Sequence, residues 1–598
     1  MLKTLTIALV LLFISLPTSA QKDQPEPDYA LAFSSFAPLN TEVFIADADG
    51  RNARVLASNA GLDYDASFSP DGKWVIFTST RNGSADLYRM HTDGTQLERL
   101  TDDPAFDDQA AISRDGTFVA FVSSRSGNAD IWVMDLATRT PLRNLTKNSP
   151  AGDFRPSWSP DGKWIAFSSD RDSAKPKGNG GFEIAHSTEI YVVHPNGSGL
   201  RRVTNAREFA GSPTWSPDGK RLVFYQTTIA ELNKTAGARR IPGLGQIAEI
   251  DLDSNETKII TSGENEKWSP RFVAAERIGY VSHGPDGGVE FSDGAKGSRG
   301  EFNSPDWSPD GRRMLFHRDV GNGWPPFQKW RSRDDHFKLV RTGVFPSFSP
   351  SGDNFVSNDE TAGILHNSII RMNADGSNST VLFTDAVKSS LAPVWSPKGG
   401  KIAFAIGRFF QTIGGSAIAD IATINADGSG LKILTKRDGN FGFPSWSPDE
   451  KHLVFRGASK EKGGLFIVDI ETGDIRVLTS ENHDNFPAWS PNGDVISFTG
   501  YRGGDFEIYT IRPDGTDLKR LTTSPGNDAH NSWSPDGKWI AFATGRGGFK
   551  DESALHPYNP QPYGEICVVR SDGSDVRVLT DNQFEEATPS WIPKPRSK

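Results

Sequence analysis

Short apolar runs, in which every second residue is hydrophobic, alternate with turn sequences in the same order along almost the whole chain. The clearest stretch contains four such runs: Pro156-Ser-Trp-Ser159, Lys163-Trp-Ile-Ala-Phe-Ser168, Glu189-Ile-Tyr-Val-Val193 and Leu200-Arg-Arg-Val-Thr204. A period of two predicts β-strands. Pro160-Asp-Gly162 joins the first two runs and Asn196-Gly197 the last two, and both are turn sequences in which glycine accepts a positive φ. The stretch therefore predicts four strands with tight turns inside each pair.

The segment Trp158-Ser-Pro-Asp-Gly-Lys-Trp-Ile-Ala-Phe167 recurs with drift twelve times, at intervals of roughly 40 to 58 residues. The copies are centred on Pro70, Arg114, Pro160, Pro217, Pro270, Pro309, Pro350, Pro397, Pro448, Pro491, Pro535 and Pro593. This period is typical of propeller blades and exceeds that of ankyrin or leucine-rich repeats. Helical periodicity is not sustained anywhere after residue 20. The predicted fold class is all-β, a β-propeller with twelve four-stranded blades.

The two ends of the repeat region carry complementary strands. The first copy begins with a second-strand segment, Tyr29 to Ser35, and the last copy stops after a first-strand segment, Thr588-Pro-Ser-Trp591. Propellers close by pairing such remnants within one blade, which removes exposed sheet edges. The pattern predicts two six-bladed propellers, an N-terminal one over 29–311 and a C-terminal one over 312–595. A single twelve-bladed ring is the alternative, although it exceeds the usual four to eight blades.

The first 28 residues do not belong to the repeats. Lys3, the apolar run Leu5 to Leu16 and the small residues Pro17-Thr-Ser-Ala20 are typical of a signal peptide over 1–20, cleaved before Gln21. Residues 21–28 then form a short linker. The apolar run is short for a membrane span. We therefore expect a secreted or periplasmic protein without a transmembrane segment in the mature chain, with a retained anchor as the alternative.

The net charge argues against one class of partner, and the cysteine content rules out internal disulfide bonds. The formal net charge of −10, without a cluster of Lys and Arg, argues against nucleic acid as a partner. Cys567 is the only cysteine, so the chain forms no internal disulfide. It falls on a predicted third strand, where we expect a small buried side chain.

The repeat resembles a known family. Ser-Pro-Asp-Gly-Lys-x-Ile-Ala-Phe, followed by Ser-x-Arg, Ile-Tyr-x-Met-x-x-Asp-Gly and Leu-Thr, is similar to the blade repeat of TolB-type periplasmic propellers, and the similarity covers almost all of the mature chain. The resemblance implies the propeller fold. It leaves the activity open, because similar blades occur in TolB, which contacts envelope partners, in the propellers of prolyl-oligopeptidase-like peptidases and in oligogalacturonate lyases.

Two departures separate the chain from these relatives. In the TolB family a single six-bladed propeller follows an α/β domain, whereas this chain has twice that number of propeller repeats. Residues 1–598 contain no Gly-x-Ser-x-Gly nucleophile elbow, no phosphate-binding loop, no His-Glu-x-x-His and no Cys-x-x-Cys. A hydrolase of the peptidase kind is therefore not expected.

The connections of a blade divide between two faces. The turns between first and second strands and between third and fourth strands are nearly uniform Pro-Asp-Gly and Asp-Gly sequences, which we interpret as structural. The other connections vary in length and chemistry and lie on the opposite face, around the mouth of the central channel. That face is the predicted functional surface, and its richest loop spans 548–565.

The candidate site is the mouth of the C-terminal propeller. The candidate catalytic residues are His530, His556, Tyr563 and Glu565. The candidate ligand-binding residues are Arg408, His483, Asp484, Asp528, Asn531, Lys550, Asp551, Glu552, Tyr558, Glu585 and Glu586. Imidazoles supply a base near neutral pH, a tyrosine donates a proton, and aromatic rings stack on sugars or pack peptide side chains. A divalent metal held by His530, His556 and carboxylates is possible, but the spacing does not indicate one.

Three functions remain open at this stage. The first is a double propeller that binds a polar ligand, such as an oligosaccharide, or an envelope protein at this mouth. The second is a carbohydrate-active lyase or hydrolase on the same face, and the third is an envelope scaffold. Asp, Asn and His before a first strand also cap turns by local hydrogen bonds, so each candidate residue has a purely structural interpretation.

Overall fold

A computed structural model describes residues 29–594, apart from 36, 39, 174–186, 206–208, 229–244, 285, 322–326, 359–367, 409–417, 436–438, 459–462, 549 and 553–563. Every regular element in this part of the chain is a β-strand, which confirms the all-β prediction. No helix that is long and apolar enough to cross a bilayer occurs among the residues described.

The strands are short and follow one another at turns. The first half contains β1 (Tyr29–Ser35), β2 (Thr41–Asp47), β3 (Arg54–Ala57), β4 (Asp63–Phe68), β5 (Trp74–Ser79), β6 (Asp86–His91), β7 (Glu98–Arg99), β8 (Asp107–Ile112), β9 (Phe118–Ser123), β10 (Asp130–Asp135), β11 (Arg143–Asn144), β12 (Asp153–Trp158), β13 (Ile165–Ser169), β14 (Glu189–Val193), β15 (Arg201–Arg202), β16 (Phe209–Trp215), β17 (Arg221–Thr227), β18 (Gln246–Asp251), β19 (Thr257–Ile259), β20 (Glu266–Ala274), β21 (Arg277–His283), β22 (Gly288–Phe291), β23 (Lys296–Arg299), β24 (Asn303–Trp307) and β25 (Arg313–Asp319). The second half contains β26 (Gln328–Trp330), β27 (Phe337–Thr342), β28 (Ser347–Phe348), β29 (Asn354–Asn358), β30 (Ile369–Asn373), β31 (Thr380–Phe383), β32 (Ser389–Trp395), β33 (Lys401–Gly407), β34 (Ala419–Asn425), β35 (Lys432–Ile433), β36 (Asn440–Trp446), β37 (His452–Ala458), β38 (Gly463–Asp469), β39 (Ile475–Val477), β40 (Asn485–Trp489), β41 (Ile496–Tyr501), β42 (Phe506–Ile511), β43 (Lys519–Arg520), β44 (Asp528–Trp533), β45 (Trp539–Thr544), β46 (Glu565–Arg570), β47 (Arg577–Val578) and β48 (Glu586–Trp591).

Most sheets contain four strands that are consecutive in sequence. This holds for the five sheets built from β4 to β23, for β28 to β31, for β40 to β43 and for β44 to β47. Strands β32 to β39 form one eight-stranded sheet, whose two halves of four strands meet only where Ala419 of β34 pairs with Asn440 of β36.

The first strands of the sheets contact one another in two closed circuits. One circuit consists of β4, β8, β12, β16, β20 and β24, and we call its sheets the N-terminal ring. The other consists of β28, β32, β36, β40, β44 and β48, and we call its sheets the C-terminal ring. Four-stranded sheets arranged around an axis with their first strands innermost define a β-propeller fold.

The closing sheets differ from the expected pairing. Strand β1 pairs antiparallel with β48 and parallel with β27, in the C-terminal ring, whereas β2 pairs with β25 in the N-terminal ring. The turn Pro309-Asp-Gly311 makes β24 and β25 a hairpin, so β25 occupies the second-strand place beside β24. Strand β1 is left to complete β48. The pairing therefore does not follow the expected boundary between residues 311 and 312.

The copy centred on Pro270 is not in register with the other copies. Strand β20 runs through Pro270 without a turn, and Ala275-Glu276 rather than a Pro-Asp-Gly sequence leads to β21. Ser269 has a positive φ, as Arg155 does in the blade of β12. Pro270 is therefore the equivalent of Pro156 inside a first strand and not of Pro160 in a turn.

The uniform turns have a structural role, as interpreted from the sequence. In the blade of β12, the Ser159 hydroxyl donates to Asp161 Oδ1 at 2.7 Å and accepts from the Trp164 backbone N–H at 2.9 Å. Trp158 Nε1 donates to the Ala111 carbonyl of the preceding blade at 3.0 Å. The Trp-Ser-Pro-Asp-Gly motif thus closes its own hairpin and joins neighbouring blades, which explains its recurrence.

Candidate ligand site at the mouth of the N-terminal ring

Nearly every first strand carries a bulge, at which one non-glycine residue has a positive φ. In the N-terminal ring these residues are Asp65, Gln109, Arg155, Ser212, Ser269 and Ser304. In the C-terminal ring the corresponding residues are Phe345, just before β28, and Ala392, Phe443, Phe486, His530 and Thr588. A bulge re-aims a side chain, and the contacts below show that these side chains converge on the ring axes.

The axis of the N-terminal ring is polar. Arg155 Nη1 lies 3.0 Å from Asp65 Oδ2 and 3.3 Å from the Ser304 hydroxyl. The Arg155 backbone N–H donates to Gln109 Oε1 at 2.8 Å. Two other bulge residues, Asp65 and Ser304, therefore contact the Arg155 guanidinium group, and a third, Gln109, contacts the Arg155 backbone.

The axis of the C-terminal ring is filled by aromatic rings instead. The ring centroids of Phe345 and Phe443 are 5.6 Å apart, those of Phe443 and Phe486 4.4 Å, and those of Phe486 and His530 4.0 Å. The Phe345 N–H donates to the Thr588 hydroxyl at 3.3 Å. At this level the C-terminal axis offers packed rings rather than a polar channel.

A segment of the C-terminal ring enters the mouth of the N-terminal ring. The Lys550 carbonyl accepts from Gln109 Nε2 at 3.3 Å, and Asp551 forms an ion pair with Arg155. Glu552 accepts from the hydroxyls of Ser168 and, at 2.5 Å, Ser212. Lys550, Asp551 and Glu552 are only 3%, 1% and 2% exposed. These three predicted residues thus belong to the opposite ring's mouth rather than to their own.

A cavity of about 500 Å³ lies beside this segment. Its charged lining residues are the carboxylates Asp65, Glu301, Asp319, Asp551 and Glu552 and the single guanidinium of Arg155. Its aromatic lining residues are Tyr64, Tyr225, Trp268, Phe302 and Phe584, and His283, His317 and Gln583 add further polar groups. A volume of this size, with aromatic walls and a few placed polar groups, is typical of a ligand pocket.

The buried carboxyl groups around Arg155 differ in the direction in which their pKa values are shifted. Burial raises the pKa of Asp65, but the charges of Arg155 and His317 and the hydrogen bonds from Ser304 and Arg155 together outweigh it, and the net shift is downward. Burial and the neighbouring Asp551 raise the pKa of Glu552, and burial together with Asp65 raises that of Asp108 well above its usual range. Burial lowers the pKa of His317, so the imidazole adds little positive charge at neutral pH. The cavity region is therefore acidic, with Arg155 as its main cation.

Two of the predicted ligand-binding aspartates form ion pairs that recur along the chain. Asp528 accepts from Arg546 at 3.0 Å and Asp484 from Arg502 at 2.6 Å. Equivalent pairs, each separated by the same eighteen residues, are Asp63 with Arg81, Asp107 with Arg125 and Asp153 with Arg171. Burial raises the pKa of Asp528 and Asp484, and the arginines oppose the shift. Both aspartates are thus engaged inside their own blades.

Glu565 also occupies a repeated position. It accepts from the Thr580 hydroxyl at 2.9 Å and from the Asn582 N–H at 3.1 Å, as Glu507 accepts from Thr522 at 2.6 Å. Burial, followed by the neighbouring Asp581, raises the pKa of Glu565 well above its usual range. The Glu565 carboxyl group therefore connects the start of the third strand of its blade to the segment that follows the fourth strand.

His530 and Asn531 lie close to the C-terminal axis. Burial lowers the pKa of His530 to about 3, which makes it a far weaker base than an ordinary imidazole. Asn531 accepts from the Ser497 hydroxyl and donates to the Phe486 carbonyl at 2.8 Å. His530 therefore lacks the proton affinity that the sequence interpretation assigned to it as a base near neutral pH.

The remaining predicted residues are dispersed. Arg408 and His483 are exposed, and the ring of His483 lies 5.6 Å from that of Tyr501. Burial raises the pKa of both Glu585 and Glu586 to about 8. The other three, His556, Tyr558 and Tyr563, lie outside the described residues.

Nothing in the described part of the chain brings three His, Cys, Asp or Glu side chains together as metal ligands. Because His556 is not in that part, the divalent metal held by His530 and His556 stays a hypothesis.

The sequence interpretation missed the residues of the N-terminal axis, above all Asp65 and Arg155. A signal for them exists, because the bulge residue usually stands directly before the proline of the first strand, as in Arg155-Pro156, Ser304-Pro305 and Phe443-Pro444. Comparing this one position across the copies distinguishes a polar axis from an aromatic one.

Comparison with known proteins supports the repeat assignment. The family model of the TolB β-propeller domain matches residues 24–124, 106–286 and 415–552, which is more than half of the chain. The chain belongs to this family. Its blades are thus TolB-type blades in both rings, as the resemblance implied.

Individual relatives share parts of the chain. The Tol-Pal system protein TolB of Gluconobacter oxydans is 33% identical over 242 residues, 40% of this chain and 49% of that protein. Dipeptidyl-peptidase 5 of Porphyromonas gingivalis is 24% identical over 383 residues, 56% of this chain and 49% of that protein. The chain spans about half the length of these relatives.

Solved structures show low overall similarity. A structure assigned as TolB from Agrobacterium tumefaciens aligns with 47% of this chain and 99% of its own, at 24% identity and a TM-score of 0.35. TolB from Acinetobacter baumannii aligns with 82% of each chain, at 13% identity and a TM-score of 0.24.

Proposed function

We propose that this protein is an exported TolB-type binding protein whose two rings are six-bladed propellers. Its ligand site is the cavity between the mouth of the N-terminal ring and the segment Lys550 to Glu552. The ligand is a polar group carried by an envelope component. The observation that supports the site is the cavity's lining, where polar bulge residues of one ring meet buried acidic residues of the other.

The contacts between the rings favour a site at this place. The Gly83 carbonyl accepts from the Arg331 N–H at 3.0 Å, and the Ser124 hydroxyl donates to Asp581 at 2.6 Å. Gly83 and Ser124 both lie in connections between second and third strands, on the variable face of the N-terminal ring. The C-terminal ring therefore covers part of the face on which propellers carry their binding loops, and the cavity lies where the two surfaces meet.

Export and the class of partner rest on the sequence and on the relatives. The charged, apolar and small-residue regions of residues 1–20 support export, and the name of the Gluconobacter relative places that protein in the Tol-Pal system. From the relative's place in the Tol-Pal system we propose that this chain also binds an envelope component.

The other candidate sites carry less support. Ligand binding at the C-terminal mouth stays a prediction, because its exposed members Arg408 and His483 are described but its richest loop is not. The lyase alternative takes His530 or His556 as the base and Glu565 or Glu585 as its partner; the pKa of about 3 makes His530 a poor base and Thr580 binds Glu565, whereas His556 lies outside the described residues and its part stays a prediction. An envelope scaffold would act through the outer surfaces and would not need the cavity.

A cavity-filling variant tests the proposal. Expressed with its own N-terminus in a Gram-negative host, the chain is expected in the osmotic-shock fraction with Gln21 as its first residue. Cross-linking in that host and mass spectrometry should then capture a defined envelope component. Ser304→Phe should abolish this capture by filling the cavity. The substitution suits the bulge, since Phe443 and Phe486 occupy equivalent positions.

Two controls make the experiment decisive. Ser379→Phe adds the same side chain at an exposed position and should leave capture unchanged. The double variant Arg408→Ala, His483→Ala addresses the C-terminal mouth. Capture that survives Ser304→Phe but is lost in the double variant would overturn the proposal and place the site on the C-terminal ring.

A further inference from the structure

The cavity has an excess of negative charge that its own cation does not balance. Three buried carboxylates, Asp65, Asp551 and Glu552, line it together with one guanidinium, that of Arg155, which Asp65 and Asp551 share; the lining carboxylates Glu301 and Asp319 are exposed. The Glu552 carboxylate accepts hydrogen bonds from the hydroxyls of Ser168 and Ser212, and the only lining cation that acts on it is again Arg155, which thus serves three carboxylates. Burying carboxylates without matching cations is costly, so a bound cation would be favoured here.

An unused hydrogen-bonding group lies in the same wall. Tyr64 is 1% exposed, and its hydroxyl has no hydrogen-bond partner among the described residues. The residue lines the cavity next to Asp65, and the centroid of its ring lies 6.0 Å from that of the His317 ring and 6.2 Å from that of the Phe584 ring. A buried polar group without a partner costs free energy, and a ligand that donates to it removes that cost.

The rest of the lining favours an organic cation over a metal ion. Trp268, Tyr225 and Phe584 present aromatic surface to the cavity, and aromatic faces attract ammonium and guanidinium groups. The described residues hold no cluster of three metal-ligating side chains. An ammonium or guanidinium group uses every feature at once, because it carries the charge, donates hydrogen bonds and packs its alkyl chain against rings.

We propose that the cavity selects an organic cation, the primary ammonium or guanidinium group of a protein side chain or of a free amine. Asp65 and Glu552 supply the countercharge, the Tyr64 hydroxyl accepts a hydrogen bond from the cation, and Trp268 covers its alkyl chain. This inference rests on the proposed function of the cavity as the ligand site.

Matched probes test the charge requirement. Isothermal titration calorimetry of the mature protein uses Nα-acetyl-lysine methylamide, its neutral isostere Nα-acetyl-norleucine methylamide, and spermidine as a free amine. We expect the lysine probe to bind at least about tenfold more tightly than the norleucine probe, because only the former can pair with buried carboxylates. Binding of spermidine without the lysine probe would assign the site to free amines, within the same ligand class.

Two variants locate the binding. Tyr64→Phe removes one oxygen from the wall and should weaken the lysine probe about tenfold, the effect of losing a hydrogen bond to a charged group. Asp65→Asn should weaken it further, and Asp253→Asn, on an exposed turn, should not. Tyr64→Phe keeps the ring that packs near His317, so a loss of binding cannot be attributed to misfolding if the thermal midpoint is unchanged.

The outcomes separate this inference from the proposed function. Equal binding of the lysine and norleucine probes would overturn the inference while supporting a ligand site. If no probe binds but envelope capture is still sensitive to Ser304→Phe, the inference of a cationic ligand would be overturned, while the proposed ligand site would still stand. Capture that is insensitive to Ser304→Phe would overturn the proposed function, and probe binding that is unaffected by Tyr64→Phe and Asp65→Asn would place the cation elsewhere.

Discussion

At the scale of the residue, the repeats explain why several charged side chains that looked functional are engaged elsewhere. Asp528 and Glu565 occupy positions that several other blades also fill with an acid, and each has a partner at a fixed spacing. Glu585 is different, because it lies off the repeated positions and is buried next to Phe584, which lines the cavity. Charged residues that stand outside the repeat pattern are therefore the informative ones.

Glu585 should make stability depend on pH. Burial raises its pKa from 4.5 to about 8, so between these values the folded protein keeps a proton that the unfolded chain has released. Stability should then fall as the pH rises from about 4.5 to about 8, by at most about 5 kcal/mol. Glu585→Gln removes this term, and its thermal midpoint should exceed that of the wild type more at pH 8.5 than at pH 5.

The control for this prediction is Glu471→Gln on an exposed turn, which should shift the midpoint equally at both pH values. A Glu585→Gln variant whose advantage is the same at pH 5 and pH 8.5 would show that the carboxyl is ionised throughout this range.

At the scale of the element, β1 links the two ends of the chain. It lies between β48 and β27, so residues 29–35 complete a sheet of the C-terminal ring although they precede the whole N-terminal ring. Phe33 of β1 is fully buried, and its ring centroid lies 6.2 Å from that of Trp330. The neighbouring strand β2 belongs to the other ring, where the rings of Phe44 and Phe316 stack at 5.2 Å.

Two phenylalanine substitutions should therefore act on different rings. Phe33→Ala and Phe44→Ala each remove a buried ring, at an expected cost of about 3–5 kcal/mol. Hydrogen exchange should accelerate in β48 and β27 for Phe33→Ala, and in β25 and β3 for Phe44→Ala. Faster exchange in β24 and β25 on Phe33→Ala would contradict the observed pairing and favour closure of the N-terminal ring by residues 29–35.

At the scale of the whole molecule, buried polar contacts couple the two rings. Arg155 and Asp551 form an ion pair across the junction, and Asp581 accepts from Ser124 of one ring and, at 2.7 Å, from Arg333 of the other. The chain also crosses between the rings twice, once after β1 and once after β25. The rings should consequently stabilise each other rather than behave as independent domains.

Removing one partner of the buried pair should expose this coupling. Asp551→Ala removes one of the two carboxylates that form ion pairs with Arg155, and breaking a buried pair in this way costs about 3–5 kcal/mol. Because the two rings are expected to unfold as one large cooperative unit, the thermal midpoint should fall by roughly 2–4 °C. The exposed variant Asp253→Ala serves as the control, with an expected change below about 0.5 kcal/mol. Equal midpoints for the two variants would show that the pair does not stabilise the junction.

The local alternation of apolar and polar positions, together with the Pro-Asp-Gly turns, by itself determined the strands, the four-stranded unit, the propeller fold and the variable face, because each depends on residues that are close in sequence. It also placed Lys550, Asp551 and Glu552 among the candidate residues. Which strand completes which sheet was decided only in the tertiary structure, because β1 and β25 are both second-strand segments and their local pattern does not distinguish them. The same holds for the site: Asp551 meets Arg155 nearly 400 residues away, through packing between rings that no local spacing encodes.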